Sequence, residues 1–204
     1  MTGLRERKRQ QVHEAISAAA ITLFLERGFD EVSVAEVATS AGVSKPTLFK
    51  YFPTKEDLVL HRISDHQGEA ARVVRERGAG ERPLAALHRH FLAGLDRRDP
   101  VTGLNDHPEV LGYHRMVFST PSLAARVLHY MALDEEALAA ALAEDTDELT
   151  ALLVAGQVLA TQRVLARRNW LTLVGGATAE GTHPSAVAAA DHAFALLPEL
   201  PELR

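Results

Sequence analysis

Side chains able to contact nucleic acid are concentrated in a short stretch near the N-terminus. Lys45, Lys50 and Lys55 supply positive charge there, and Thr47 and Tyr51 supply hydroxyl groups. Ammonium groups neutralise phosphates, and ammonium and hydroxyl groups both donate hydrogen bonds to phosphates or base edges. The residue types therefore predict contact with double-stranded DNA.

Three capping residues and a glycine predict the elements that position these side chains. Ser33 and Glu36 have the S-x-x-E spacing of a capping box, and Gly42 ends the short helix that follows. Ser44 is the N-cap of a second short helix, and Pro46 lies in its first turn, where a missing N–H breaks no intrahelical bond. Two short helices joined by a glycine-containing turn predict a helix-turn-helix whose second helix enters the major groove.

The second short helix has one apolar side and one outward side. Leu48 and Phe52 are four residues apart and are expected to dock the helix on its neighbours. The basic and hydroxylated residues are then left facing outward. We predict that the residues binding DNA are Ser33, Ser44, Lys45, Pro46, Thr47, Lys50, Tyr51 and Lys55.

The charge of the chain is unevenly distributed. The net charge of −5 over 204 residues argues, as an average, against a nucleic-acid partner. Residues 1–60, however, carry eight basic and eight acidic residues and include all four lysines, so the whole excess of acid lies in the remaining 144 residues. A basic patch on a neutral N-terminal domain is compatible with DNA binding.

Composition excludes several classes of protein. Cysteine is absent, which removes disulfides and cysteine-based zinc or thiol chemistry. The charged N-terminus lacks the apolar core of a signal peptide, and no apolar run is expected to reach the ~18 residues of a membrane span. We therefore expect a cytoplasmic protein without a membrane partner.

Catalytic and metal sites are not predicted. The chain has no P-loop, no Rossmann fingerprint and no credible Ser/His/Asp arrangement, so we expect no enzyme activity and no cofactor. His88 and His90 are two residues apart, and on a helix they point to opposite sides. No metal site is therefore expected among the ten histidines.

Apolar spacing predicts an all-α chain of about nine helices and no strand. Their expected ranges are 4–27, 34–41, 44–50, 54–77, 83–98, 109–118, 121–143, 147–174 and 184–197. We expect a three-helix DNA-binding domain over residues 1–53 and an all-helical ligand-binding and dimerisation domain over residues 54–204. The helix at 54–77 is expected to run unbroken from one domain into the other.

The segment GFDEVSVAEVATSAGVSKPTLFKYFPTKEDL resembles the TetR family of bacterial transcriptional regulators, over roughly residues 10–60. The resemblance implies that the first three helices bind DNA, that the fourth leads to an effector domain, and that the last two long helices form a homodimer. It also implies that Lys45, Thr47 and Lys50 face base edges or nearby phosphates. Tyr51 and Lys55 would anchor phosphates.

Phe49 departs from the family pattern, because many members have tyrosine at this position and its hydroxyl reaches a phosphate. The departure implies one fewer contact with the DNA backbone. Farther along, RMVFSTPSLAARVL is similar to regulators with acyl-CoA-like or other lipophilic effectors.

An effector pocket is expected between helices and should be mostly apolar. Gln157 is the favoured polar contact, because a buried amide in an Ala- and Leu-rich helix needs a partner. For each apolar candidate, a place in the packed core is the alternative. The residues that we expect to bind ligand are Phe91, Leu95, Tyr113, His114, Met116, Phe118, Met131, Gln157, Thr161 and Trp170.

These features favour a repressor that a small, mostly apolar effector releases from a palindromic operator. One short helix contacts only a few base pairs, so usable affinity requires a homodimer that binds two half-sites. The alternative is a constitutive or architectural DNA-binding protein without a small-molecule ligand.

Overall fold

The computed structural model describes residues 2–198, and within them it contains ten α-helices, one 3-10 turn and no strand. The predicted all-α fold class is confirmed. The helices are α1 (Thr2–Arg27), α2 (Val34–Ser40), α3 (Lys45–Tyr51), α4 (Asp57–Ser64), α5 (Glu69–Arg75), α6 (Pro83–Asp96), α7 (Pro108–Ser119), α8 (Pro121–Leu142), α9 (Glu148–Val174) and α10 (Ala179–Ala195); the 3-10 turn η1 (Pro100–Thr102) precedes α7.

The helix expected at 54–77 is broken into α4 and α5, so the prediction of a continuous helix is wrong. Gly68 lies between them with φ +70°, a left-handed conformation that most other residues avoid. Its N–H donates a 2.8 Å hydrogen bond to the Asp134 carboxylate on α8. A partner distant in the sequence therefore holds the backbone in the turn that interrupts the helix.

The last helix begins at Ala179, five residues before the predicted start at Pro184. Thr178 caps it by accepting a hydrogen bond from the Gly181 N–H, and the Asp106 carboxylate accepts one from the Ala179 N–H at 2.8 Å. Pro184 removes only one intrahelical hydrogen bond. Capping of the first turn by two side chains therefore extends the helix back through a segment expected to be a loop.

The chain forms two compact units. The first contains the residues up to Asp65 together with Gly112–Leu128, and in it α1 packs on α2 and α4, and α2 on α3. Its core includes the fully buried Ile16, Phe24, Leu48, Phe52 and Leu58. The domain boundary expected between residues 53 and 54 stays a prediction.

The second unit contains His66–Leu111 and the chain from His129 onward. Here α10 packs on α6 and α9, and α5 packs on α6. Its core includes the fully buried Leu87, Leu95, Leu138, Leu142 and Val158.

Helix α9 is long and apolar enough to cross a membrane by length and composition, with a mean hydropathy of 1.4. The expectation that no apolar run reaches this length is therefore wrong. Both sides of α9 are apolar: one side is buried in the second unit, and the other exposes a row of leucine and valine side chains. Only 28% of the apolar stretch is buried.

Candidate nucleic-acid interface

Helix α2 begins at the predicted capping box. The Ser33 hydroxyl accepts a hydrogen bond from the Glu36 N–H at 3.3 Å, and the Glu36 carboxylate accepts one from the Ser33 N–H at 2.9 Å. The pKa of Glu36 is lowered to about 2. The largest causes are the hydrogen bonds from the Ser33 N–H and hydroxyl, and the Arg27 guanidinium, 2.8 Å away, lowers it further. The Arg27 pair also ties the end of α1 to the start of α2.

Helix α3 begins at the second predicted cap. The Ser44 hydroxyl accepts a hydrogen bond from the Thr47 N–H at 3.2 Å. It also lies 2.7 Å from the Thr47 hydroxyl. Pro46 occupies the first turn, as expected. Thr47 is half-buried and its hydroxyl is already engaged, so its freedom to contact DNA is smaller than the sequence pattern suggested.

Leu48 and Phe52 dock α3 as predicted, and both are fully buried. The Phe52 ring stacks on His13 of α1, with 4.4 Å between the ring centroids. Tyr51 is half-buried, and its ring centroid lies 6.5 Å from that of His13. The angle of α3 to α1 is thus fixed by aromatic packing.

The exposed side of α3 consists of Lys45, Pro46, Phe49 and Lys50. Phe49 is 38% exposed, and the Lys45 ammonium lies 5.9 Å from the centre of its ring. Two cations therefore flank an aromatic ring on the surface predicted to enter the major groove. From the sequence, Phe49 implied only the loss of a phosphate contact.

Lys55 lies against the end of the first helix. Its ammonium group is 4.5 Å from the centre of the Phe29 ring, 5.7 Å from that of Phe24 and 3.5 Å from the Asp30 carbonyl oxygen. Cation–π contacts of this kind orient the lysine side chain. Lys55 is half-buried and remains a predicted phosphate anchor.

The start of α4 is held by a local Thr54–Asp57 cap, whose spacing the sequence shows, and by distant partners that the sequence does not reveal. The Thr54 N–H donates to Asp57 at 2.9 Å, and the Asp57 N–H donates to the Thr54 hydroxyl at 3.2 Å. Arg126 of α8 donates to the same Asp57 carboxylate at 2.7 Å, and the Tyr113 hydroxyl of α7 donates to the Val59 carbonyl at 2.8 Å. Partners more than 50 residues apart leave no local sequence signal.

His61 of α4 joins α1 to the aromatic cluster below α3. Its Nε2 lies 2.8 Å from the Ser17 hydroxyl, and its ring centroid lies 5.3 Å from that of His13 and 5.5 Å from that of Phe52. Burial lowers the pKa of His61, and the neighbouring His13 and Arg62 lower it further, while Asp65 opposes them.

Acidification is expected to destabilise the first unit through His61. Because the pKa of His61 is lower in the folded chain than its ordinary 6.5, the unfolded chain binds this proton first as the pH falls. The free energy of unfolding should therefore decrease as the pH falls below 6.5. His61→Asn should reduce that pH dependence, as measured by urea unfolding at about pH 8 and about pH 5. An identical pH dependence in the variant and the unsubstituted chain would contradict the assignment.

The predicted ligand residues lie in both units. In the second unit, Phe91 and Leu95 belong to the packed core, whereas Met131, Thr161 and Trp170 are half-buried. The Trp170 Nε1 is buried without a hydrogen-bond partner.

In the first unit, Tyr113 and Met116 are buried, and burial raises the pKa of Tyr113. His114 is half-buried, and burial lowers its pKa. Phe118 is 56% exposed.

Gln157 is exposed on α9, so the expectation of a buried amide there is wrong. The Ala- and Leu-rich pattern of α9 indicated that both faces are partly buried, but the structure covers only the side that includes Ala155 and Val158. The Gln157 amide therefore needs no buried partner in the described structure.

A cleft in the second unit has a volume of about 950 Å³. It is lined by residues of α5, α6, α10, the loop that precedes α6 and the segment that follows α8, and Arg77, Glu81 and Asp145 are among them. None of the ten predicted ligand residues lines this cleft.

Comparison with known proteins identifies the N-terminal region. Residues 16–61 match the domain described as "Bacterial regulatory proteins, tetR family". The chain is 33% identical over 127 residues to the HTH-type transcriptional regulator TcmR of Streptomyces glaucescens, a match that covers 62% of this chain and 56% of TcmR. It is 37% identical over 98 residues to the HTH-type transcriptional regulator RutR of Escherichia coli, covering 47% of this chain and 45% of RutR. The chain thus spans about half the length of these curated relatives.

Solved structures share the fold over most of the chain. The native structure of NalD of Pseudomonas aeruginosa, described as the secondary repressor of the MexAB-OprM multidrug efflux pump, matches with a TM-score of 0.62 at 16% identity, covering 90% of this chain and 97% of NalD. A TetR-family regulator of Mesorhizobium loti matches with a TM-score of 0.56 at 19% identity, covering 92% of this chain and 96% of that protein. The sequence match over residues 16–61 thus identifies a tetR-family domain near the N-terminus, and these solved structures show that the chain shares their fold.

Proposed function

We propose that the chain is a sequence-specific DNA-binding transcriptional regulator, and that it is a repressor released from a palindromic operator by a small, mostly apolar effector. The observation that carries the DNA-binding part is the exposed side of α3, where Lys45 and Lys50 flank Phe49 on a helix fixed by its cap and by buried Leu48. In a helix-turn-helix, this is the helix that enters the major groove.

We also propose that the protein acts as a homodimer through α9. The exposed side of α9 carries Leu149, Leu152 and Leu153 near its start and Val164 and Leu171 farther along, and each of the five is more than half exposed. Their spacing of three, four and seven residues, with one longer gap, places them along one helix side. An apolar row of this length is typical of a surface covered by a second copy of the same chain.

Release by an effector would act through α7 and α8. Both helices contribute residues to the first unit, and there they are bonded to α4 by the Tyr113–Val59 and Arg126–Asp57 hydrogen bonds. We propose that an effector shifts these helices and so moves α4, which follows the recognition helix. Half-sites read by a dimer are about 34–36 Å apart, so a shift of a few ångströms per protomer would prevent both α3 helices from docking together.

The alternative of a constitutive DNA-binding protein is supported by the packed interior. Phe91 and Leu95, two of the expected pocket residues, are 5% and 0% exposed and belong to the core of the second unit. A protein without an effector would need no cavity at this place.

A binding assay separates the two functions. Fluorescently labelled DNA from the region upstream of the protein's own gene is titrated with the protein, with and without a panel of apolar ligands. Sequence-specific binding that a ligand weakens supports the repressor. Binding that no ligand changes favours the constitutive protein, and an absence of specific binding overturns the proposed function.

Lys50→Ala is expected to weaken binding to every DNA sequence and to reduce its dependence on salt. Each lost phosphate contact lowers the slope of log affinity against log salt by about one unit, hence by about two units for a dimer. The slope is measured from titrations at several salt concentrations. Arg72→Ala, which removes an exposed cation on α5, serves as the control and should leave the slope unchanged. An unchanged slope in Lys50→Ala would remove this residue from the interface.

A further inference from the structure

The centre of the exposed side of α3 is an apolar side chain. Lys45, Pro46, Phe49 and Lys50 are all exposed, and their spacing of three and four residues places them on one side of the helix. Phe49 lies in the middle of this row and is 38% exposed. The two hydroxyl-bearing residues of the helix, Thr47 and Tyr51, are half-buried.

The core does not account for the position of Phe49. Its neighbours Leu48 and Phe52 fill the interior side of α3 and are 0% and 1% exposed. The Phe49 contact recorded in the structure is with the Lys45 ammonium, 5.9 Å from the ring centre. The ring is therefore presented outward, on a helix side that also exposes Lys45 and Lys50, which attract a polyanion.

A phenyl ring is best matched to one kind of group in the major groove. It has no conventional hydrogen-bond donor or acceptor, so it cannot read the polar edges of guanine, cytosine or adenine. The apolar group displayed in the major groove is the C5 methyl group of thymine. Lys45 can donate to the O6 and N7 atoms of guanine.

We propose that Phe49 determines specificity by packing against the C5 methyl group of a thymine in each half-site, within about two base pairs of a guanine that Lys45 contacts. The separation follows from helix geometry, since four residues rise about 6 Å and successive base pairs are about 3.4 Å apart. The contact presupposes the DNA-binding function proposed above. In this contact Phe49 recognises a base, whereas a tyrosine at the same position would contact a phosphate through its hydroxyl group.

Removal of single methyl groups from the DNA tests this contact. Each thymine of the operator half-site, and its symmetry mate, is replaced by deoxyuridine, which lacks only the C5 methyl group, and affinity is measured by fluorescence anisotropy. For the unsubstituted protein, replacement at one symmetric pair of positions should weaken binding. The expected loss of affinity is about fourfold per half-site, or about 15-fold in total, which corresponds to one buried methyl group in each half-site. For Phe49→Ala, the same replacement should have no effect.

Phe49→Leu is the matched control, because it keeps an apolar side chain and should remain sensitive to loss of the methyl group. Thermal unfolding followed by circular dichroism shows whether each variant is folded. Specific binding without any sensitive thymine, or equal sensitivity in Phe49→Ala, would overturn this contact while leaving the proposed function intact. A protein that binds no DNA sequence specifically would overturn both.

Discussion

Gly103→Ala is expected to lower the free energy of unfolding by about 2–6 kcal/mol, the combined cost of backbone strain and overpacking. Gly103 has φ +70°, and a Cβ atom added there would overlap the carbonyl oxygen of Ala166 on α9. That oxygen belongs to the helix backbone and cannot rotate away. Asn169 of α9 also donates a 3.0 Å hydrogen bond to the Thr102 carbonyl, so the turn and the helix are held together at this point.

Gly80→Ala is the control for Gly103→Ala. Gly80 has a similar φ of +76°, but a Cβ atom there would meet no heavy atom within 4 Å. The control therefore carries the conformational strain without the overlap and should cost about 1–2 kcal/mol. Urea unfolding followed by circular dichroism measures both losses. Equal losses would show that the close approach of Gly103 to α9 does not contribute to stability.

Leu153→Asp is expected to convert the protein to monomers and to weaken operator binding by about two to four orders of magnitude, the range gained by linking two binding modules. Leu153 is 57% exposed and lies beside Leu149 and Leu152 on the exposed side of α9. A carboxylate in a dimer interface there would lose hydration without gaining a partner. Sedimentation equilibrium measures the oligomeric state, and anisotropy measures operator affinity.

Val101→Asp is the matched control for the Leu153 substitution. Val101 is 52% exposed and lies in η1, outside the exposed row of α9. The same new charge should leave both the dimer and the affinity unchanged. A Leu153→Asp protein that remains dimeric would exclude this part of α9 from the interface.

Local capping signals explain why the DNA-binding region could be predicted from the sequence. Ser33 with Glu36, Ser44 with Thr47, and Thr54 with Asp57 each form their hydrogen bonds across three residues. Contacts of this length depend on few other residues, so sequence spacing alone predicts them. The ends of α2 and α3 therefore lie within a residue or two of their expected positions.

Features that depend on distant partners were not predictable in this way. The break at Gly68 is held by Asp134, and the start of α4 is held by Arg126. The exposure of Gln157 depends on which side of α9 the other helices cover, and an apolar pattern on both sides does not reveal this. For Phe49, comparison with tyrosine indicated only the hydroxyl that is lost, and not that the ring is exposed.

The central claim is that two copies of α3 read the two halves of one operator. Selection of bound molecules from a library of random duplex DNA tests it most directly, because it assumes nothing about the regulated genes. We expect the recovered sequences to share an inverted repeat with half-sites about 10 base pairs apart or a multiple of that spacing, each containing a guanine near a thymine. Recovered sequences that share no common motif, or only a single unpaired half-site, would contradict it.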